Sequence, residues 1–265
     1  MTSPNRKVIL ICIDGMRPDG FLSCGHPSVR EMMQSGSYTL TGRTVVPPIT
    51  LPVHYSFFRS VPPREHGILT NDFTTPRRQL PCLTTLLRKA GRSCAMFYGW
   101  EPLRDITFPE DLLLSEYIWY RALPDTDGYL TDRALSAMRT FGPDFVFLYF
   151  VETDEKGGHS HGWMSTEYLA TIRKALGHVA RVRKEFGEEY TVLVVSDHGG
   201  HGNNHGEEIP EDMTVPFFAF GPDFEPGREI KDYSILDIAP TIAELEGIRP
   251  DPFWRGRSLV NGRSD

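Results

Sequence analysis

The chain has 265 residues, enough for one large α/β domain with a full hydrophobic core and short for two independent ones. Its 40% hydrophobic and 24% charged residues are ordinary for a globular protein and exclude a disordered or fibrous architecture. The formal net charge of -7 argues against a general nucleic-acid-binding surface, which needs Lys and Arg in excess, so no nucleic-acid polymer is expected as a partner.

The amino end, MTSPNRKVILICIDGMRPDG, carries an apolar run only over residues 8–13, too short for a signal peptide or a membrane span, and no later segment approaches a span. Cys12, Cys24, Cys82 and Cys94 lack C-x-x-C spacing and read as reduced thiols, which together with the amino end gives a cytoplasmic expectation. Residues 7–13 read as a buried strand followed by Asp14. Residues 41–81 are rich in Pro, Arg, Thr and His with little period, and within them Thr50 sits between Pro48 and Pro52 at the entrance to a helix. A helix over 80–90 stops at Gly91, a weaker strand covers 93–98, and 100–127 is an irregular connection. A helix over 129–141 leads to a strong strand at 145–151, followed by Asp154. A helix over 165–186 leads to another strong strand at 190–196, followed by Asp197. A weaker strand over 215–220 and a helix over 235–246 close the pattern, and residues 261–265 read as a frayed tail. Strands alternating with helices, the strands apolar almost throughout, predict one α/β domain over residues 1–265 with a mostly parallel sheet covered by helices on both faces.

In such a sheet the strand ends lie on one edge, so Asp14, Asp154 and Asp197 are expected to converge. One aspartate after a strand is an ordinary turn former or helix cap. Three on one edge repel one another unless cations neutralise them, and bound metal ions would also supply the positive charge that an acidic chain lacks. Five of the nine histidines fall in two short segments: Asp154-Glu-Lys-Gly-Gly-His159-Ser-His161 and Asp197-His198-Gly-Gly-His201-Gly-Asn-Asn-His205. Carboxylate and imidazole donors together suit zinc and also manganese. A hydroxyl near bound metal can lose its proton near neutral pH, which makes Thr50 a candidate nucleophile, although a threonine there also serves as a helix cap.

The blocks ICIDGMRPD, ITLPVHYSFFRSVPPREHGILTNDF, FVETDEKGGHSHGWMS, VVSDHGGHGNNHG and SILDIAPTIAELEG give the sequence a resemblance to the alkaline phosphatase superfamily, within it the type I phosphodiesterase and nucleotide pyrophosphatase branch. The resemblance implies an alkaline phosphatase-like fold and two divalent ions about 4 Å apart. One ion would be held by Asp14, Thr50, Asp197 and His198, the other by Asp154, His159 and His205. It implies hydrolysis of a small phosphate ester, a diester in particular, through a covalent phospho-threonine on Thr50, with Asn71 donating to a phosphate oxygen. The family usually spaces its second-metal histidine four residues after the aspartate, whereas His159 follows Asp154 by five, and many relatives carry the last metal histidine much later than His205. His161 and His201 are therefore spare candidates for substrate contact. Phosphomonoesterase activity and phosphosugar mutase-like transfer would use the same metal site. The sulfatase block C-x-P-x-R is replaced here by Thr50-Leu-Pro52-Val-His54, which argues against a sulfatase. Arg17, Arg59, Arg64, Arg77 and Arg78 are either contacts for a second phosphate or surface charge.

Overall fold

The three strongest apolar runs form the middle of the sheet in a computed structural model that describes residues 6–77 and 79–260. Arg78 and the stretch read as a frayed tail lie outside the described residues. The strands are β1 (Lys7–Ile13), β2 (Ser37–Arg43), β3 (Cys94–Tyr98), β4 (Leu114–Tyr117), β5 (Phe145–Phe150), β6 (Tyr190–Val195) and β7 (Thr214–Phe220). They form one sheet in the order β2-β7-β6-β1-β5-β3-β4. β1 pairs in parallel with both β5 and β6, and β3 with β4 and β5. Only the pairs made by β7, with β2 and β6, are antiparallel.

The helices are α1 (Pro18–Ser23), α2 (Ser28–Ser35), α3 (Thr50–Arg59), α4 (Pro63–His66), α5 (Leu83–Lys89), α6 (Thr126–Phe141), α7 (Thr166–Phe186), α8 (Pro210–Met213) and α9 (Ile238–Leu245). Alternation along β1 divides the core between the two faces. Leu10 and Cys12 pack with Leu51 and Phe57 of α3 and Ile238 and Ile242 of α9. Ile9, Ile11 and Ile13 pack with Leu130 of α6 and Ile172 and Val179 of α7. This is the mostly parallel sheet, helix-covered on both faces, that the alternation predicts.

The helix expected from residue 129 begins at Thr126, because Asp125 accepts the Gly128 amide at 2.8 Å and caps it. The helix expected over 235–246 is a 3-10 turn at Ile235–Asp237, closed by a capping box from Ser234, and then α9. All four cysteines are buried free thiols. Among the described residues no helix is long and apolar enough to cross a membrane.

Candidate metal centre and active site

Because β6, β1 and β5 are neighbours, the three aspartates that follow them meet on one edge. Asp14, Asp154 and Asp197 are at most 4% exposed. Asp14 begins a tight turn in which Gly15 takes φ +66°, and a Cβ on Gly15 would lie 3.0 Å from Asp154 Oδ1. The Gly15 amide donates to Asp197 Oδ1 at 3.1 Å, and the His198 amide to the same oxygen at 2.9 Å. The Tyr149 hydroxyl, on β5, donates a short hydrogen bond to Asp14 Oδ2. That leaves Asp14 Oδ1, Asp154 Oδ1 and Asp197 Oδ2 buried without a hydrogen-bond partner. Burial, then the charges of Asp197 and Asp154, push the Asp14 carboxyl well above its usual range.

Thr50 is the first residue of α3, where the leading amides have no intrahelical acceptor and Pro52 therefore removes no helical bond. The freed amide of Leu51 donates to Asn71 Oδ1 at 3.0 Å, so Asn71 caps the helix from a separate loop. His54, one turn on, donates from Nδ1 to the Thr50 carbonyl at 2.8 Å.

Three imidazoles are oriented alike. His198 Nδ1 lies 2.8 Å from the Gly199 carbonyl, His159 Nδ1 2.9 Å from the Asn203 carbonyl and His205 Nδ1 3.0 Å from the Pro48 carbonyl. A carbonyl only accepts, so each Nδ1 carries a hydrogen and each ring turns its Nε2 inward, a lone pair whenever the ring is neutral. His198 Nε2 faces Asp14 Oδ1 at 3.3 Å and Asp197 Oδ2 at 3.4 Å. His159 Nε2 faces Asp154 Oδ2 at 3.3 Å, and His205 Nε2 lies 3.9 Å from Asp154 Oδ1. Lone pair against carboxylate is repulsive unless a proton or a metal ion lies between them. The hydrogen bond to Asp154 raises His159 to about 9, against its burial, whereas burial and the His198 charge lower His205 to about 4. The Thr50 hydroxyl completes the group, donating to His198 Nε2 at 3.2 Å.

Among the described residues three sets of donor atoms are close enough to hold an ion: Asp154, His159 and His205; Asp14, Asp154 and His198; and Cys12, His54 and Asp197. The first is the trio that the resemblance implies for one ion; the second brings Asp154 beside Asp14 and His198 as well. The orphaned carboxylate oxygens and the inward Nε2 atoms fit divalent cations, and the carbonyls behind the rings are the outer partners such ligands have.

His201 and His161 stand apart from these sets. His201 Nδ1 bonds Asp212 Oδ1 at 2.8 Å and its Nε2 lies 3.5 Å from Glu207 Oε1, tying the glycine-rich loop to α8. His161 is exposed. Arg17 pairs with Asp19 and donates to the Gly200 carbonyl at 2.9 Å, bracing the loop. Sequence reasoning missed Tyr149, His54 and Trp163. The Trp163 indole donates to the Gly15 carbonyl at 2.9 Å and packs edge-on against His159 and His205. The one sequence signal for Tyr149 is a hydroxyl within an otherwise apolar strand.

A family model described as type I phosphodiesterase / nucleotide pyrophosphatase matches residues 8–213. Ectonucleotide pyrophosphatase/phosphodiesterase family member 1 of Rattus norvegicus is 25% identical over 217 residues, 72% of this chain and 24% of that protein. The chain thus spans about a quarter of the length of that curated relative. A 2,3-bisphosphoglycerate-independent phosphoglycerate mutase of Clostridioides difficile is 25% identical over 149 residues, 54% of this chain and 29% of that protein. Among solved structures, murine ectonucleotide pyrophosphatase / phosphodiesterase 5, an inactive threonine-to-alanine variant in complex with AMP, superposes with a TM-score of 0.77 at 15% identity. That match covers 94% of this chain and 98% of the other, which bears out the alkaline phosphatase-like fold.

Proposed function

The chain belongs to the type I phosphodiesterase / nucleotide pyrophosphatase family, and on that premise we propose that it is a metal-dependent phosphoester hydrolase, acting on small phosphodiesters with Thr50 as nucleophile. The observation that carries this reading is the shared orientation of His159, His198 and His205, each Nδ1 committed to a carbonyl and each Nε2 turned to a carboxylate. Asp14, Thr50, Asp197 and His198 would hold one cation, and Asp154, His159 and His205 a second, with zinc the best match to mixed nitrogen and oxygen donors and manganese the next. Bound there, the ions supply positive charge that acidifies a nearby hydroxyl and offsets the charge of the phosphoryl oxygens.

The chain's own groups do the rest. Thr50 Oγ1 gives up its proton to solvent and forms a bond to phosphorus as the bond to the leaving alcohol oxygen breaks, and that oxygen takes a proton from solvent. Water then attacks the phospho-threonine, restoring the hydroxyl and releasing the phosphoryl product. His54 keeps the Thr50 carbonyl fixed, and with it the first turn of α3. Asn71 accepts the Leu51 amide through its oxygen, so its amino group is the end available to a phosphoryl oxygen. The murine relative, described as inactive with its threonine changed to alanine and bound to AMP, supports a threonine nucleophile and a nucleotide-sized substrate.

The test compares bis-p-nitrophenyl phosphate with p-nitrophenyl phosphate before and after chelation and re-addition of zinc or manganese. The expected outcome is faster diester hydrolysis, lost on chelation and restored by metal, with Thr50→Ala inactive and a phosphoryl adduct on the Thr50 peptide in quenched wild type. A diester left uncleaved with either metal present would overturn the reading. The similarity to phosphoglycerate mutases motivates a second reading, transfer of the phosphoryl group back to a phosphosugar, which predicts isomerisation without release of phosphate.

A further inference from the structure

A cavity of about 720 Å³ lies along the flank of α3 and is lined by Tyr55, Arg59, Phe73, Lys89, Phe108 and Phe253 among others. Its volume falls in the range of small-ligand sites. The side chain that matters is Arg59, in the last turn of α3 and only 2% exposed. Arg59 lies nine positions after Thr50, about 13 Å along a helix axis at 1.5 Å per residue, and none of the residues of the metal edge lines this cavity.

Arg59 is incompletely paired. Nη1 donates to the Ile106 carbonyl at 2.7 Å, and the guanidinium lies over the Tyr55 ring at 3.6 Å from its centre. Nε is buried with no hydrogen-bond partner, and among the described residues no carboxylate lies within 4.0 Å of the guanidinium. Buried charges are normally paired, because removing a cation from water costs more than a carbonyl and a ring face return. The two acids on the cavity wall are engaged elsewhere: Asp105 lies 3.6 Å from Arg104, and Asp251 accepts the Phe253 amide at 2.9 Å. Phe73, Phe108 and Phe253 are each more than 40% exposed and line the same cavity as Arg59 and Lys89, a cluster of open aromatic surface beside the buried guanidinium.

We propose that this cavity binds a small amphipathic anion, its single negative head group completing the coordination of Arg59 and its apolar body lying against Phe73, Phe108 and Phe253. Asp105 and Asp251 select against polyanions, since a second negative charge would approach one of them. The site is separate from the metal edge and does not depend on the phosphodiesterase reading.

The test is a fluorescence titration of the full chain with 8-anilinonaphthalene-1-sulfonate, an aromatic body with one sulfonate. Wild type is expected to bind one equivalent saturably, displaced by octanoate and not by millimolar inorganic phosphate, and Thr50→Ala is expected to bind equally. Arg59→Met should weaken binding at least tenfold. If that buried change compromises folding, the exposed Phe253→Ala carries the test with a several-fold loss and an unchanged melting curve. Equal binding by wild type and Phe253→Ala, or displacement by inorganic phosphate, would overturn the proposal.

Discussion

His159 Nε2 lies 3.3 Å from Asp154 Oδ2 although five residues separate the two, because residues Thr153–His159 form a π-helical turn. In an α-helix the partner on the same face would be four residues on; the wider turn, with hydrogen bonds from i to i+5, brings the fifth residue to the same place. The five-position spacing is thus accommodated by the type of helix, and His159 keeps its register with Asp154. The turn has no room to spare, since a Cβ on Gly158 would lie 2.6 Å from the Trp163 ring and one on Gly157 2.7 Å from Thr171 Oγ1. Deleting Gly158 should therefore yield an ordinary α-turn with Asp154 and the histidine still matched, and retain bound metal by elemental analysis. Inserting a further glycine should lower metal affinity about 10–100-fold, the usual effect of disturbing a ligand's support. Equal metal loss in the two variants would show that register is not what the π-turn preserves.

This turn also marks where the sequence stops being readable. The centre of the sheet was legible because β1, β5 and β6 are buried on both faces and so carry continuous apolar runs, and the aspartates behind them follow from strand direction alone. The edges were not: β2, SYTLTGR, is interrupted by glycine and polar residues, and β4 is only four residues with two exposed. In the candidate site the residue types were legible and their pairing was not. Spacing gathered five histidines into two segments and the family resemblance implied His159, His198 and His205 among them, but their common orientation depends on carbonyls at Asn203, Gly199 and Pro48 that only the folded loops present. Tyr149 was hidden because its partner Asp14 is 135 residues away and meets it through the β1–β5 pairing.

Tyr149 gives the second prediction. Its hydroxyl is the hydrogen-bond donor to Asp14 Oδ2, so Tyr149→Phe leaves a second Asp14 oxygen without a donor while keeping the ring and its packing. Zinc affinity, measured by competition with a chromogenic chelator, should fall about 10–100-fold. The loss should be recovered by excess metal, because the site is loosened and not removed. An affinity equal to wild type would mean that Asp14 needs no such orientation to act as a ligand.

The two histidines of the glycine-rich loop should behave differently. His205 is only 8% exposed at the side chain, stacks on His198 at 3.8 Å and turns Nε2 toward Asp154, whereas His201 is held by Asp212 and Glu207. Adding zinc to metal-free wild type should raise its melting temperature, since a ligand at 100 times its Kd stabilises by about 2.7 kcal/mol. His205→Ala should lose most of that gain, and His201→Ala should retain it despite a lower starting temperature from the loosened loop. Equal loss in both variants would rule out this division of roles.

The last prediction concerns pH and a histidine outside the metal edge. His66 Nδ1 accepts the Ile68 amide at 3.1 Å, so Nε2 carries the hydrogen and donates to Ser56 Oγ at 3.0 Å, and Ser56 in turn donates to the Pro52 carbonyl. The neutral ring is fully satisfied, and a second proton would set Nδ1–H against the Ile68 N–H. Burial first, and then the Arg59 charge, lower its pKa from 6.5 to about 4. A group whose pKa is depressed on folding binds more protons when unfolded, so its contribution to stability is complete above the unfolded value of 6.5 and is lost as pH falls toward 4. Between pH 7 and pH 5 the loss should be about 2 kcal/mol, read from urea unfolding midpoints. His66→Gln, which can still donate and accept but does not titrate, should be less stable than wild type at pH 7 yet show a shallower decline by that amount. If the two proteins lose stability in parallel over this range, His66 is not the residue that senses the acid.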